Sequence, residues 1–353
     1  MDPTLSPVAD TGPTYGFGVS DYPGAQGVRL HIVTGKGGTG KTTVAAALGI
    51  ALAGQGRKVL LAEVEDRQGI SQTFDVPPLS HTETLIFDDP SGGSLWGMAV
   101  EPKSALLEYL HKFYKLGRAG SLLEKIGAID FATTIAPGLR DVLLIGKVYE
   151  AVGRREGRGR HGKTPTYDAV VLDAPPTGRV ARFLGVNEEV AEVARMGPIK
   201  GQADSITAML KSRITAVHIV TLLEEMPVQE CLDAVHDLTA NGLPVGAIIV
   251  NQVRDPILED KDLEALSGGA SARLRADVAA DLAGAGVPDP KGMTDVLLDE
   301  AAAHLERLDL QGEQDQRIQE QGRAVFYLPA LADGLEAGGI RVLADELHVQ
   351  GMV

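Results

Sequence analysis

Two lysines five residues apart stand in the glycine-rich stretch VTGKGGTGKTT, from Val33 to Thr43. Residues 35–42 fit the pattern G-x-x-x-x-G-K-[ST] in full, between an apolar run and a helical pattern. Glycines let backbone N–H groups approach phosphate oxygens closely, and the N-terminus of the following helix adds its dipole. The stretch therefore predicts a nucleotide phosphate site made by Gly35, Gly37, Gly38, Thr39, Gly40, Lys41, Thr42 and Thr43.

The roles of single residues follow from the chemistry of this motif. Lys41 is expected to reach the β- and γ-phosphates, and the Thr42 hydroxyl to ligate Mg²⁺. The run YDAVVLDA ends near Asp173, where the carboxyl end of a parallel strand would face the nucleotide and hold the same Mg²⁺. The loop APPTG, residues 174–178, could sense the γ-phosphate. The expected ligands are ATP or ADP and Mg²⁺, with Lys41 and Asp173 among the catalytic residues.

Composition limits the function classes. The chain has 353 residues and a formal net charge of −15, which argues against coating nucleic acid or sitting on anionic lipid. No run of about 18 apolar residues exists, so no stable membrane insertion is expected. Residues 1–27 lack a basic start and an apolar block, and predict a flexible tail and not a secretory signal. With one cysteine, Cys231, the chain fits a reducing cytoplasm.

The elements that must position these residues are predicted from hydrophobic patterns. Near-continuous apolar runs separated by helical patterns predict a doubly wound, mostly parallel α/β fold. Residues 28–353 are expected to form the nucleotide-binding domain, with a helical subdomain from 103–153 and 185–212 and a polar helical insertion at 255–322. The predicted strands are 28–34, 58–64, 97–102, 167–174, 214–222, 245–252 and 324–331.

The second lysine, Lys36, makes the loop K-G-G-x-G-K-T, which resembles the deviant phosphate loop of the ParA/MinD/ArsA class of dimeric ATPases. In that class the early lysine crosses the dimer interface and contacts the partner's nucleotide. The resemblance implies that Lys36 is a catalytic residue that acts on the other subunit. It also implies a homodimer, or a heterodimer with a paralogous ATPase.

Two further segments resemble the ArsA and guided-entry branch, whose guided-entry members target tail-anchored proteins. LDAPPTGRVARFL, residues 172–184, is similar to that branch's D-T-A-P-T-G-H-x-L-R-F-L. Residues 221–253 resemble a segment ending in V-N-Q, which implies that Asn251 hydrogen-bonds adenine and that Leu328 and Pro329 lie near the base. Aligned without gaps, Glu65 falls on the aspartate that orients the attacking water.

The chain lacks two cysteine motifs of this branch, and each absence removes one function that the resemblance would otherwise imply. ArsA binds trivalent arsenic through three cysteines, so this chain is not expected to be an arsenite pump subunit. The Cys-x-x-Cys zinc clasp of many guided-entry ATPases is missing, which leaves a zinc-stapled dimer without support. The resemblance implies a Mg²⁺-dependent ATPase that handles a protein partner or a hydrophobic protein client.

Two other functions remain open from the sequence. A positioning ATPase of the MinD/ParA kind would need a basic amphipathic C-terminal helix or a basic DNA-binding face. The C-terminal residues IRVLADELHVQGMV are acidic, with Arg341 as their only arginine or lysine. A regulatory subunit that binds ATP and hydrolyses little is motivated by Glu65 in place of aspartate.

Overall fold

The computed structural model describes residues 27–64, 68–105, 108, 137–157, 163–193, 198–254, 256–267, 270–331 and 337–353. The predicted water-orienting residue Glu65 lies outside these ranges, and so do residues 1–26 of the predicted tail and much of the first helical segment. Within the described residues, no helix is both long enough and apolar enough to cross a membrane.

A mostly parallel eight-stranded sheet forms the centre of the larger unit. Its strand order is β10-β9-β8-β1-β7-β2-β4-β3, and β3 is antiparallel to β4. The two short strands β5 and β6 pair separately. This arrangement confirms the predicted fold class. The strands are β1 Leu30–Gly35, β2 Lys58–Glu63, β3 Thr84–Asp88, β4 Ser94–Ala99, β5 Arg155–Glu156, β6 Thr164–Pro165, β7 Ala169–Asp173, β8 Thr215–Thr221, β9 Val245–Val253 and β10 Ala324–Pro329.

Helices cover both faces of the sheet, which is why the central strands are buried along their whole length. In β1, Leu30 and Ile32 face one apolar cluster and Val33 faces the other. The described helices are α1 Lys41–Gly54, α2 Gly69–Thr73, α3 Pro137–Gly153, α4 Thr177–Val193, α5 Pro198–Leu210, α6 Glu225–Ala240, α7 Asp260–Leu266, α8 Ala272–Gly284, α9 Pro290–Gln319 and α10 Ala337–Val349. Helices α3 to α6 contribute to the first cluster, and α1 and α10 to the second.

The edge of the sheet differs from the sequence prediction. Strand β3 was not predicted, and β4 begins at Ser94, three residues before the predicted start at 97. A tight turn explains both differences, because Gly92 adopts a φ of 91° and its N–H donates to the carbonyl of Asp89. Strand β3 is largely exposed, as befits an edge strand, so it lacks the continuous apolar signal of the central strands.

The described residues from Arg254 to Glu306 form a second compact unit. It contains α7, α8 and the first part of α9. The Ser271 side chain accepts a hydrogen bond from the backbone N–H of Leu274 and so caps α8. Helix α8 buries none of its residues, which agrees with the polar character of this stretch of the sequence.

Candidate functional site

The glycine-rich loop joins β1 to α1 at the carboxyl edge of the sheet. Two of its glycines have left-handed backbones, with φ of 92° at Gly38 and 86° at Gly40. Two are fixed by close approach, because a Cβ would lie 2.2 Å from the Val220 carbonyl oxygen at Gly35 and 2.3 Å from Asn251 Nδ2 at Gly40. A Cβ on Gly38 would meet no atom of the described residues within 4 Å. The loop therefore packs closely against Val220 and Asn251 on one side and leaves space beside Gly38 on the other, which suits a bound phosphate chain.

Lys41 lies across this loop. Its Nζ donates to the carbonyl oxygen of Lys36 at 3.3 Å, and its side chain is 9% exposed. The Thr39 hydroxyl donates to the same carbonyl at 2.9 Å. Thr43 is buried within α1. Lys41 is thus placed where the motif predicts the phosphate-binding lysine, and the loop is closed around the Lys36 carbonyl.

Asn251 supports the loop from below. At the end of β9 and 5% exposed, it donates from Nδ2 to the Thr39 carbonyl oxygen at 2.9 Å across 212 residues of sequence. Its role toward adenine stays a prediction, since the amide nitrogen is directed to the loop in this structure. Pro329 ends the neighbouring strand β10, where the Ala330 N–H donates to the Val253 carbonyl at 2.7 Å, and Leu328 is fully buried.

Three side-chain oxygen groups meet beside the start of α1. The Thr42 hydroxyl donates to Asp173 Oδ2 at 2.6 Å. Glu63 ends β2 opposite Asp173 in register, so the two carboxylates lie on the same face of neighbouring strands. Glu63 is 3% exposed and Asp173 7%. Glu63 Oε1 accepts a hydrogen bond from the Gly69 N–H at 2.9 Å and so holds the start of α2.

Glu63 is the site residue that the sequence analysis missed. A charged residue inside the apolar run KVLLAEV is the signal that could have found it. A Cβ built on Gly69 would lie 3.4 Å from Thr42 Oγ1 and 3.6 Å from Glu63 Oε1, so these two oxygens are close to the same position. Carboxylate and hydroxyl oxygens are the donors that Mg²⁺ prefers. The donor set of Thr42, Asp173 and Glu63 therefore fits the predicted cation.

Lys36 is engaged differently from Lys41. Its Nζ lies 3.0 Å from Glu230 Oε1 on helix α6, and the side chains are 29% and 36% exposed. The other oxygen of the same carboxylate, Oε2, accepts a hydrogen bond from the Thr177 hydroxyl at 3.3 Å. Thr177 is the first residue of α4 and follows the APP part of the loop after Asp173. The two lysine side chains thus have different partners: Lys41 bonds to a carbonyl of the loop, and Lys36 pairs with a carboxylate of α6.

A buried histidine pair lies in the strands that carry the loop. His31 Nδ1 and His218 Nε2 are 3.1 Å apart, and the Ala247 N–H donates to His218 Nδ1 at 3.3 Å. Because that nitrogen accepts, the proton of neutral His218 is assigned to Nε2, which donates to His31. Burial lowers the pKa of His218 to about 4, and burial together with His218 lowers the pKa of His31. Both rings are neutral at pH 7.

Comparison with known proteins decides the family. The family model described as an anion-transporting ATPase, ArsA_ATPase, matches residues 28–213. The chain belongs to the ArsA ATPase family. It is therefore an ATP-hydrolysing enzyme, and the predicted membership of the ArsA family is confirmed.

Relatives of this ArsA-family ATPase differ widely in identity. ATPase BagA of Mycobacterium tuberculosis is 47% identical over 327 residues, which cover 92% of this chain and 94% of that protein. A protein of Aquifex aeolicus named as a candidate arsenical pump-driving ATPase is 25% identical over 268 residues, 67% of this chain and 84% of its own. ATPase ARSA1 of Chlamydomonas reinhardtii is 24% identical over 291 residues, 67% of this chain and 36% of its own.

Proposed function

We propose that this ATPase is Mg²⁺-dependent and works as a nucleotide-gated dimer, in which closure around ATP drives the handling of a protein client or partner. The observation that carries the proposal is the separation of the two lysines. Lys41 bonds within the phosphate loop, while Lys36 extends from that loop to Glu230. Lys41 would serve the subunit's own nucleotide, and Lys36, once released from Glu230, would serve the nucleotide of a neighbouring subunit.

Residues of the chain would share the work around the phosphates. Lys41 and the backbone N–H groups of the loop would bind the β- and γ-phosphates, and Thr42 with Asp173 would hold Mg²⁺, with Glu63 close to both. The cation supplies charge neutralisation on the phosphate oxygens when it is bound. Glu65 is proposed to orient the attacking water, as the family resemblance implies. Glu63 accepts a hydrogen bond from the Gly69 N–H, so described residues on either side of Glu65 in the sequence are joined beside the site.

The second subunit is proposed to be another copy of this chain or a paralogous ATPase, because the chain has one glycine-rich phosphate loop. The client remains a proposal from the family resemblance. Of the two methionines in the second helical segment, Met209 is packed in the core and Met196 lies outside the described residues. A hydrophobic client would therefore need another surface than Met209.

Arsenite is not the proposed cargo. Cys231 is the one cysteine of the chain, and it is 1% exposed on α6. Burial raises the pKa of its thiol to about 12, so the thiolate that would bind a soft metalloid is disfavoured. The relatives named for arsenical pumps share a low identity with this chain, and their cargo is not carried over.

The C-terminal helix disfavours the alternative of a membrane-positioning ATPase. Ile340, Leu343 and Leu347 of α10 are buried in the cluster that also contains the residues of α1. A helix used in this way for the core has no free apolar face of the kind that binds a bilayer. Among the described large apolar side chains of α10, the exposed ones are Val342 and Val349, which lie two turns apart.

Sedimentation velocity tests the proposed dimer. The purified chain is compared without nucleotide, with Mg·ADP and with a non-hydrolysable Mg·ATP analogue. We expect a shift from monomer to dimer with the ATP analogue, and no such shift for Lys36→Ala at the same saturation. Lys163→Ala is the matched control, because Lys163 is exposed and outside the loop. A wild-type chain that stays monomeric with the analogue, with and without a paralogue from its host, contradicts the proposal.

Steady-state hydrolysis separates a cycling ATPase from a regulatory subunit. If dimerisation assembles the site, the rate per subunit should rise with protein concentration and then level off. A rate that is independent of concentration while the chain is monomeric would show that a single subunit suffices. Hydrolysis near background in the assembled dimer would favour the regulatory alternative.

A further inference from the structure

One carboxylate connects three elements around the site. Glu230 Oε1 pairs with Lys36 of the phosphate loop at 3.0 Å, and Glu230 Oε2 accepts from the Thr177 hydroxyl at 3.3 Å. Glu230 lies on α6, Lys36 between β1 and α1, and Thr177 at the start of α4. Lys36, Thr177 and Glu230 are far apart in the sequence, so the fold brings their three elements together.

We propose that Glu230 is a positioning residue, which holds Lys36 within its own subunit until the nucleotide of a partner subunit replaces the carboxylate. The inference rests on the proposed dimer function. The Lys36 ammonium is held against α6 of its own subunit, whereas in the proposed closed dimer it would contact phosphate on the other subunit. Closure would therefore exchange one anionic partner of Lys36 for another.

The strength of the pair suits such an exchange. Both side chains are about one-third exposed, and pairs of this kind change an equilibrium by a factor of about 1.5 to 5. The negative charge of a triphosphate and the loss of water on closure favour the competing contact. The pair would thus delay closure at low ATP without preventing it at saturation.

Because Thr177 also bonds to Glu230, the release of Lys36 would affect the start of α4 as well. Thr177 is 9% exposed and stands four residues after Asp173, at the end of the loop proposed to sense the γ-phosphate. When Glu230 releases Lys36, the carboxylate that also accepts from the Thr177 hydroxyl is free to reorient. The position of Lys36 is thereby linked to the start of α4.

A matched pair of substitutions tests the contact in the nucleotide-free chain. Glu230→Gln removes the charge and keeps an oxygen that can accept from Thr177. Asp233→Asn is the control, because it removes one charge from the same helix at a carboxylate that accepts from Gln229. Lys36 is labelled with an amine-reactive reagent and quantified by peptide mass spectrometry. We expect labelling to rise about 2- to 5-fold in Glu230→Gln and to be unchanged in Asp233→Asn.

The second measurement is the ATP dependence of hydrolysis and of dimerisation. Glu230→Gln should lower the ATP concentration for half-maximal dimerisation by about 2- to 5-fold, with kcat changed less than about 2-fold. In a Lys36→Ala background, which is expected not to dimerise, Glu230→Gln should leave the ATP affinity and the unfolding free energy of the monomer unchanged. A merely structural role would raise KM or lower stability in both backgrounds.

Each result has a definite meaning. Unchanged Lys36 labelling in Glu230→Gln, or a large fall in kcat, would overturn the proposal, because the carboxylate would then serve the closed site or the fold. If no variant dimerises with ATP, the proposed dimer function fails, and the labelling experiment alone decides whether Glu230 holds Lys36.

Discussion

Gly40 and Gly38 offer a test of how the phosphate loop is built. Both have left-handed backbones, with φ of 86° and 92°, so alanine at either costs about 1–2 kcal/mol of conformational energy. They differ in their surroundings. A Cβ on Gly40 would lie 2.3 Å from Asn251 Nδ2, while a Cβ on Gly38 would meet nothing within 4 Å among the described residues.

Gly40→Ala must therefore displace the Asn251 amide as well. That amide donates to the Thr39 carbonyl at 2.9 Å in a buried position. Leaving buried polar groups unpaired costs about 1–3 kcal/mol, so the total for Gly40→Ala is about 2–5 kcal/mol of unfolding free energy. Gly38→Ala should cost only the backbone component, about 1–2 kcal/mol.

Urea denaturation of the nucleotide-free chain measures both costs. The chain without nucleotide is chosen because an added methyl at Gly38 could also obstruct a bound phosphate. In an Asn251→Ala background there is no amide left to displace. The loss of unfolding free energy caused by Gly40→Ala should then fall to about the loss caused by Gly38→Ala. Equal losses for the two glycines in the wild-type background, or an extra cost that persists without the Asn251 amide, would refute the reasoning.

Three further predictions concern groups near the site. Because burial lowers the pKa of His218 to about 4, the unfolded chain binds more protons between that pH and its ordinary pKa, so unfolding free energy should be full above about pH 6.5 and fall by up to about 3 kcal/mol as pH drops to about 4. Urea titrations across this range check it: His218→Gln should make the profile less steep, while His31, whose pKa burial also lowers, keeps part of the dependence; an equally steep profile in the variant would assign the effect elsewhere. Glu63→Gln should raise the Mg²⁺ concentration for half-maximal hydrolysis by about 10-fold, as for other outer ligand partners, whereas the exposed control Glu156→Gln should not; an unchanged Mg²⁺ titration for Glu63→Gln would remove that residue from the site. Arsenite should leave the hydrolysis rate of the wild type and of Cys231→Ser unchanged, and several-fold stimulation would contradict the account of the buried thiol.

The sequence predicted the parts of this fold whose signals are local. Seven buried strands, the phosphate loop and Asp173 all follow from short runs with a characteristic pattern. Strand β3 lacks that pattern because one face of an edge strand meets solvent. Its pairing depends on the turn at Gly92, which a search for buried apolar runs does not detect.

Contacts between distant segments could not be predicted from spacing. The bond from Asn251 to Thr39 joins residues 212 positions apart, and no local feature of either segment specifies it. The same holds for Glu230, which looks like any charged residue on an amphipathic helix until the fold brings it to Lys36. Glu63 is intermediate, since a carboxylate within an apolar strand signals a buried function but does not name its partners.

Complementation between two inactive variants tests the central claim most directly. Lys36→Ala keeps the pocket around Lys41, and Lys41→Ala keeps a working Lys36. In a mixed dimer one composite site is then whole, because the first subunit supplies the pocket and the second supplies the lysine.

The measurement is the hydrolysis rate of the mixture against each variant alone. Each variant should be slower than wild type by on the order of 10²-fold or more, since a cation supplied across an interface has effects of this size or larger. Mixing should restore part of the wild-type rate, in proportion to the fraction of mixed dimers. If mixed dimers form and hydrolysis is not restored, or if Lys36→Ala alone abolishes ATP binding, Lys36 serves its own subunit and the proposed cross-subunit role is wrong.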